Sequence, residues 1–206
     1  MLIKTLPVGH LETNCHIVTD EKTLKCAVID PGADSNMILD YMEANGLTPE
    51  AVFLTHGHFD HTGAVSAIRE ATGVPVYIHE SDLAGQGRDN LHRYQADIPV
   101  KTYREGDVFT IGGLVFTVLE TPGHSFGSVT LQCENALFTG DTLFRDSCGR
   151  TDIGGDMQTL MRSLKRLYDL DGDFEVYPGH MDATTLERER AFNYYMRYAL
   201  ENPSEE

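Results

Sequence analysis

The sequence contains few cysteines and few basic side chains, and it has no long apolar run. The four cysteines, Cys15, Cys26, Cys133 and Cys148, include no close pair, so neither a disulfide framework nor a cysteine zinc knot is expected. No apolar stretch reaches the roughly 20 residues that a membrane-spanning helix needs. The first residues also lack the apolar core of a signal peptide. These absences predict a cytoplasmic protein with reduced thiols.

Acidic side chains outnumber basic ones by 32 to 16, which gives a formal net charge of −16. Such a surface repels a nucleic-acid backbone and disfavours anionic membranes. We therefore expect no nucleic-acid and no membrane partner, and instead a small-molecule substrate. The 206 residues show no linker, composition break or low-complexity tract, which predicts one domain over residues 1–206.

The most informative stretch is THGHFDH at residues 55–61. It places His56, His58, Asp60 and His61 within six consecutive positions, although the whole chain has only nine histidines. The apolar run at residues 51–54 predicts a buried strand before it, and residues 62–65 predict the start of a helix after it. Imidazole nitrogens and carboxylate oxygens are ligands of zinc-like or iron-like divalent metals. The stretch therefore predicts a metal site on a turn at the C-terminal end of a strand.

Three further candidate ligands, His124, Asp141 and His180, each follow a strand-like run and a turn. Each has a glycine directly before it, in the sequences TPGH, TGD and YPGH. Glycine at these positions fits a backbone that passes close to a metal centre. The pattern of strand, turn and ligand therefore recurs along the chain.

In order, neighbours and spacing, these seven residues resemble the ligand set of the metallo-β-lactamase superfamily of binuclear metallohydrolases. The resemblance covers nearly the whole chain. It implies that metal one is held by His56, His58 and His124, that metal two is held by Asp60, His61 and His180, and that Asp141 bridges them.

The resemblance also implies an α+β fold, an αββα sandwich of two mixed sheets packed face to face with helices outside. Strand-to-strand turns in both halves argue against a purely parallel sheet. Strands are predicted at residues 2–6, 15–19, 25–29, 51–54, 74–78, 107–111, 114–120, 128–133 and 136–139, and before His180. Helices are predicted from Asp34 or Ser35 to about Asn45, from 62 to 71, from 157 to 170 with Asp156 as N-cap, and from 184 to 200. Residues 79–97 are expected to be irregular or briefly helical and to border the site.

The implied chemistry is hydrolysis. Two divalent ions that share a water make hydroxide available near neutral pH, because the pKa of bound water falls from about 15.7 to about 7. The hydroxide would attack an acyl carbon, while the metals polarise the carbonyl and stabilise the leaving group. Asp60 is the candidate catalytic residue, since it would both bind metal two and orient the nucleophile. Zn²⁺ is the expected metal, and iron or manganese suit the same ligands.

The stretch CGRTD at residues 148–152 is similar to glyoxalase II enzymes, and GRTD especially resembles their short bacterial relatives. In glyoxalase II the basic residue contacts glutathione, which makes Arg150 a candidate carboxylate clamp. A structural salt bridge from Arg150 to Asp152 or Asp156 is the alternative. Larger glyoxalase II enzymes differ in an aromatic at the position of Asp152 and in an added C-terminal helical domain. The expected substrate is S-lactoylglutathione or a related small acyl thioester.

Persulfide dioxygenases also resemble this chain, and they use one iron held by two His and one Asp. Here those ligands would be His56, His124 and Asp141, whereas an intact second set favours two metals. A metallohydrolase of another ester or a lactam is a further alternative. The remaining histidines match no motif position and are expected to be structural or exposed: His10, His16, His79 and His92.

Overall fold

Two mixed sheets lie face to face in the computed structural model, which describes residues 1–83 and 93–201. The first sheet contains, in spatial order, β1 (Leu2–Val8), β2 (Thr13–Thr19), β3 (Lys25–Ile29), β4 (Thr48–Phe53), β5 (Val76–His79) and β6 (Lys101–Tyr103). Its first three strands are antiparallel, and β3 to β6 run parallel. Parallel neighbours need crossover connections, and these contain the helices α1 (Ser35–Ala44), α2 (Phe59–Thr62) and α3 (Val65–Thr72).

The second sheet is built from the later part of the chain. Its strands are β7 (Val108–Ile111), β8 (Leu114–Glu120), β9 (Val129–Cys133), β10 (Ala136–Gly140), β13 (Glu175–Pro178) and β14 (Thr184–Thr185); a separate hairpin pairs β11 (Leu143–Phe144) with β12 (Ser147–Cys148). The spatial order is β14-β13-β10-β9-β8-β7. The pair of β10 and β13 is parallel and the other neighbours are antiparallel.

Alternating side chains of the strands separate the layers. On β3, Cys26 and Val28 pack on one face against α1 and α3, where Ile38 is part of the same cluster. Ala27 and Ile29, on the other face, pack against the second sheet. This period of two is the geometry of a strand, and β3 is apolar on both faces because both are covered. Burying one such large aliphatic side chain contributes about 1.5–3 kcal/mol.

Helices also cover the outer face of the second sheet. α4 (Met157–Tyr168) buries Leu160 and Leu164 there, together with residues of α6 (Tyr194–Glu201). The carboxylate of Asp156 accepts a hydrogen bond from the Thr159 amide at 2.7 Å, so the predicted N-cap is confirmed. The order of layers is helix, sheet, sheet and helix, which confirms the predicted αββα sandwich.

The helix after the histidine-rich stretch begins earlier than predicted. α2 starts at Phe59, so Asp60 and His61 lie on a helical turn rather than before the helix. A second helix, α3, starts at Val65. The break arises because the Ala64 amide donates to the Pro31 carbonyl, at 2.9 Å, instead of continuing the helix.

The prediction of one helix over residues 184–200 is wrong. After β14, α5 (Leu186–Phe192) and α6 are separated by Asn193, whose backbone is extended. The buried Asn193 amide donates to the carbonyls of Phe144 and Ser147, at 3.2 and 2.9 Å, and its side-chain oxygen accepts from the amide of Met196. A long-range contact therefore ends one helix and caps the next.

Asp34 lies just before α1, as predicted, but its side chain does not cap that helix. Its carboxylate accepts a hydrogen bond from the Gly9 amide at 2.8 Å instead. The strands β6, β11, β12 and β14 were not predicted, since each has only two or three residues and so shows no alternation. Within the predicted irregular stretch, Glu80–Asp82 forms a 3₁₀ turn, and residues 84–92 lie outside the described part.

None of the helices in the described ranges is long and apolar enough to cross a membrane.

Candidate metal centre

Strand ends from both sheets meet at one place, and each carries candidate ligands. The segment after β4 in the first sheet carries four of them, and the segments after β8, β10 and β13 in the second sheet each carry one. The structure brings all seven predicted residues together at this place: His56, His58, Asp60, His61, His124, Asp141 and His180. They meet because the two sheets pack against each other.

His56, His58 and His124, here called the inner group, point ring nitrogens toward one another. Nδ1 of His58 lies 2.8 Å from Nε2 of His124, and candidate ligand atoms of all three lie within 4.8 Å of one another. All three side chains are buried. Three converging imidazole nitrogens are a donor set that zinc-like divalent metals prefer.

Asp60, His61 and His180, here called the outer group, form a second cluster of the same size. Oδ2 of Asp60 lies 3.2 Å from Nε2 of His180 and 3.5 Å from Nε2 of His61. His61 is fully buried, whereas the His180 side chain is 22% exposed. The outer group is therefore the more accessible of the two.

Asp141 lies between the groups and reaches both. Its Oδ1 is 3.4 Å from Nε2 of His61, and its Oδ2 is 3.5 Å from Nε2 of His124 and 3.5 Å from Nε2 of His180. One carboxylate facing ligands of two clusters has the arrangement of a bridging ligand. Together the His and Asp clusters fit a dinuclear site.

The hydrogen bonds of the histidine rings test this fit. Nδ1 of His61, His124 and His180 is bonded away from the centre, to a carboxylate oxygen of Asp30 and to backbone carbonyls. Among the described residues, the buried Nε2 atoms of His56 and His61 have no hydrogen-bond partner. Buried polar atoms are rarely left so, and rings bonded on the outer nitrogen are the usual state of metal-binding histidines. The donor set therefore fits a bound cation.

The shifted pKa values of two site histidines reflect the same clustering of charged groups when no metal is bound. Burial holds the pKa of His56 well below its usual value, and the neighbouring histidines lower it further. Burial also opposes protonation of His61, but the carboxylates of Asp141, Asp30 and Asp60 raise the pKa of His61 to about 9. In the absence of a metal, the surrounding carboxylates thus favour the protonated, cationic form of His61.

Asp30, at the end of β3, is a functional residue that sequence reasoning missed. Its carboxylate accepts hydrogen bonds from the amide and hydroxyl of Thr55, at 2.7 and 2.6 Å, and lies 2.9 Å from Nδ1 of His61. The Thr55 hydroxyl is also 3.1 Å from Nδ1 of His56. This one buried carboxylate orients histidines of both groups. The only signal in the sequence was a lone Asp at a strand end.

Asp82 was also missed, and it supports the inner group alone. Its carboxylate accepts from the amides of Gly57 and Gly127, both at 2.7 Å, and from the Ser125 hydroxyl at 2.6 Å. Gly57 lies between His56 and His58, and Ser125 follows His124. The buried Asp82 therefore ties the two loops of the inner group together.

β2 holds the loop that carries His180. The Asn14 side-chain amide donates to the carbonyls of Pro178 and Met181, at 3.0 and 2.8 Å, and the Asn14 backbone amide donates to the Gly179 carbonyl at 2.7 Å. The Thr13 hydroxyl, one position earlier, donates to Oδ2 of Asp60 at 3.2 Å. Both residues act on the outer group, and neither was predicted.

The expected close approach of glycine to the centre occurs at Gly179. A side-chain carbon built there would lie 2.3 Å from Oδ1 of Asp141 and 2.7 Å from the His61 ring. Such contacts are too short for any larger residue, so the glycine before His180 is required by the packing of the ligands.

A cavity of about 540 Å³ opens beside the centre and is lined by Leu11, His58, Phe59, Asp60, His124, Asp141, Phe144, Ser147, Cys148, Arg150, Ile153, His180 and Met181. Arg150 lines it, but its guanidinium makes two hydrogen bonds of 2.6 Å to the Asp152 carboxylate. The predicted salt-bridge alternative with Asp152 is therefore present. The role of Arg150 as a clamp stays a prediction.

Of the other histidines, the three in the described ranges are not part of the ligand clusters. His10 is exposed, and His79 lies 3.1 Å from a carboxylate oxygen of Glu120. His16 is buried beside the carbonyl of Pro178, and His92 lies outside the described residues. All four cysteines are free, and Cys148 is half-buried at the cavity.

Comparison with protein families finds a match to the metallo-β-lactamase superfamily over residues 8–180. The match begins at the end of β1 and runs to His180, so it spans all seven candidate ligands.

Characterised and uncharacterised relatives align along nearly the whole chain. The sequence is 35% identical over 206 residues to the probable metallo-hydrolase YqgX of Bacillus subtilis, covering 94% of this chain and 96% of YqgX. It is 31% identical over 209 residues to the hydroxyacylglutathione hydrolase GloC of Haemophilus influenzae, covering 95% of this chain and 98% of GloC.

Solved structures share the fold at similar identity. The BLEG-1 B3 metallo-β-lactamase has a TM-score of 0.84 and 34% identity, over 95% of this chain and 99% of that one. TTHA1623, in a di-iron-bound form, has a TM-score of 0.80 and 37% identity, over 93% and 99%. ETHE1 from Myxococcus xanthus has a TM-score of 0.83 and 30% identity, over 100% and 92%.

Proposed function

The chain belongs to the metallo-β-lactamase superfamily, and from this premise we propose that it is a binuclear metal-dependent hydrolase of small acyl thioesters of the S-lactoylglutathione type. One observation carries the proposal. Asp141 joins two ligand clusters at the wall of a cavity that can admit a small molecule. The similarity to hydroxyacylglutathione hydrolase GloC supports a thioester as the substrate.

The proposed ligands are His56, His58 and His124 for one ion, Asp60, His61 and His180 for the other, and Asp141 for both. Two divalent ions there would act as Lewis acids and would lower the pKa of bound water from about 15.7 to about 7. Zn²⁺ is the proposed metal, because His and Asp ligands suit it. The di-iron form of the similar TTHA1623 supports iron as the alternative.

The chain's own residues position the reactants. Asp60 lies at the cavity, with one oxygen beside His180 and Thr13, and we propose that it accepts a hydrogen bond from the attacking water. The water oxygen joins the acyl carbon and the carbon–sulfur bond breaks, which yields a carboxylic acid and a thiol. Arg150, at the cavity wall, is the proposed contact for a substrate carboxylate if it exchanges Asp152 for that partner.

Hydrolysis of S-lactoylglutathione by the metal-loaded protein tests the proposal. We expect kcat/KM of about 10⁴ M⁻¹s⁻¹ or more and loss of turnover after treatment with a chelator. Asp60→Ala should abolish turnover while the circular dichroism spectrum stays unchanged. Asp182→Ala is a suitable control, since that exposed carboxylate lies two residues beyond His180. Negligible turnover of S-lactoylglutathione by fully metallated wild-type protein would reject that substrate, and wild-type activity in Asp60→Ala would reject the proposed mechanism.

Oxidation of a persulfide by a single iron is the second candidate. His56, His124 and Asp141 lie together, with the two histidine ring centroids 4.8 Å apart and Nε2 of His124 3.5 Å from Asp141. Oxygen consumption by the iron-loaded protein with glutathione persulfide would identify this activity. Thioester hydrolysis without oxygen uptake would exclude it.

A further inference from the structure

Three large apolar side chains surround the mouth of the cavity. Leu11 is 54% exposed, Phe59 is 76% exposed and Met181 is 60% exposed, and all three line the same cavity. Single exposed apolar residues are ordinary on a protein surface. Several around one opening form a patch of the kind that marks a binding site. We call these three residues the apolar rim.

The apolar surface continues inward from the apolar rim. Phe144 is largely buried, and its ring stands perpendicular to the ring of His180 with centroids 6.1 Å apart. Ile153, which is half-buried, also lines the cavity. A ligand that reaches the outer group therefore passes mainly along apolar side chains.

The same cavity wall has few cationic side chains that could bind an anionic substrate. Among the described lining residues, Arg150 is the one Lys or Arg side chain, and the edge of its guanidinium formed by Nε and Nη2 is bonded to Asp152. The whole chain carries a net charge of −16, so its surface as a whole does not attract an anionic substrate. A substrate with several carboxylates therefore meets one guanidinium that is already shared with Asp152, and no second Lys or Arg among the described lining residues pairs with its other carboxylates.

We infer that this cavity selects thioesters less polar than S-lactoylglutathione, with an apolar acyl group on an uncharged thiol, and that the apolar rim determines this preference. The inference rests on the proposed thioester hydrolysis. Binding of an acyl chain would remove rim and substrate surface from water together, which is the main source of affinity in apolar pockets.

Four synthetic thioesters separate the contributions of the two halves of the substrate. They combine a lactoyl or a hexanoyl group with glutathione or with N-acetylcysteamine, an uncharged thiol. We expect kcat/KM of the metal-loaded protein to be highest for hexanoyl-N-acetylcysteamine, by about tenfold or more over S-lactoylglutathione. S-lactoylglutathione at least as good as hexanoyl-N-acetylcysteamine would overturn the inference and leave thioester hydrolysis in place. No cleavage of any of the four would overturn the proposed function itself.

Variants of the apolar rim test which residues set the preference. Leu11→Ser should lower kcat/KM about tenfold for hexanoyl-N-acetylcysteamine and far less for its lactoyl counterpart. Leu2→Ser is the matched control, because Leu2 is similarly exposed on β1. Phe59→Ser and its control Phe192→Ser, on α5, form a second pair of similar exposure. Metal content is measured for each, since Phe59 adjoins two candidate ligands.

If the rim variants lose equal factors of kcat/KM for the hexanoyl and the lactoyl thioesters, with metal content unchanged, the apolar rim does not determine the preference. Losses of the same size in the Leu2 and Phe192 controls would lead to the same conclusion. The wild-type ranking of the four thioesters does not depend on any variant, so it decides the substrate class even where a variant folds poorly.

Discussion

The inner and outer groups have the same number of ligands, but different parts of the fold hold them. The side chains of the inner group are all buried, although His58 and His124 border the cavity, and the buried carboxylate of Asp82 ties the two loops of the group together. In the outer group, Nδ1 of His180 is bonded to the carbonyl of Leu11, a residue of an exposed loop, and the His180 side chain lies at the cavity. The comparison indicates a fixed site in the interior beside an adjustable one at the surface.

This difference has a chemical consequence for the proposed two-metal enzyme. A ligand set that is buried and bonded to interior side chains is expected to lose its metal slowly, because the ligands cannot readily move apart. A set that includes a partly exposed histidine can exchange its metal and admit substrate. We therefore expect the two ions to differ in exchange rate and in their response to distant substitutions.

Removal of metal should have the largest effect. During timed exposure to a chelator we expect one ion per chain to leave in a fast phase, from the outer group, and the second in a slow phase. Turnover of thioester should disappear and return on addition of Zn²⁺. Metal content by mass spectrometry, with the absorbance of cobalt-substituted protein as a check on each site, follows the two phases. A single phase for both ions would contradict the comparison.

Asp30→Ala should weaken metal binding at the inner and the outer group alike, because Asp30 supports histidines of both groups. Removing this buried carboxylate leaves the Thr55 amide and Nδ1 of His61 without the oxygens that they contact, and the free energy of unfolding should fall by roughly 3–5 kcal/mol. Metal content should fall at both sites. Chemical denaturation and metal analysis are the measurements, with the exposed Asp40→Ala as control. Retention of two tightly bound ions would show that Asp30 does not orient these rings.

Asp82→Asn should affect the inner group selectively. The Asn side chain has one acceptor oxygen where Asp82 has two, so it cannot accept the hydrogen bonds from both Gly57 and Gly127. The two loops therefore lose part of their link. Affinity for the inner metal should fall about 10–100-fold, and the free energy of unfolding by about 1–3 kcal/mol. Titration of the apoprotein with cobalt resolves the two affinities. Weaker binding at the outer site alone would refute this assignment.

Asn14→Ala is the counterpart for the outer group. It removes two donors to the carbonyls around His180, so the loop should loosen and the outer metal should bind about 10–100-fold more weakly. The inner metal should keep its affinity. Asn45→Ala serves as the control, because that exposed amide bonds only within the end of α1. Equal loss at both sites would mean that the loop does not act on the outer group alone.

Thr13→Val should have the smallest effect. The nearly isosteric change removes one hydrogen bond to Asp60, at 3.2 Å, which contributes about 0.5–1.5 kcal/mol. We expect kcat to fall by roughly threefold to tenfold while the metal content remains unchanged. Thr110→Val, an exposed change on β7, is the control. A large fall in KM or in metal content would assign a different role to Thr13.

The candidate ligands could be predicted because their signals are local. His56, His58, Asp60 and His61 are close in the chain, and a glycine precedes each distant ligand, so spacing and residue type were enough to propose the set. Strands such as β3 were also predictable, since burial on both faces leaves a long apolar run.

The supporting residues could not be predicted, because their partners are far away in the chain. Asp30 and His61 are separated by 31 positions, and Asn14 and Pro178 by 164. A lone Asp or Asn carries no periodic signal and is found at turns for many reasons. The helix break at Asn193 was not predicted for the same reason, since the carbonyls to which its side chain donates belong to the hairpin of β11 and β12.

The sequence by itself determined which chemistry is present: histidines and carboxylates at strand ends, a family pattern across the chain, and an acidic overall charge. Only the tertiary structure decided how that chemistry is arranged. The packing of two sheets brings strand ends together from distant parts of the chain. The same packing buries one ligand group more deeply than the other and surrounds the opening of the cavity with apolar side chains. Those outcomes depend on distances between residues remote in sequence, which no local pattern encodes.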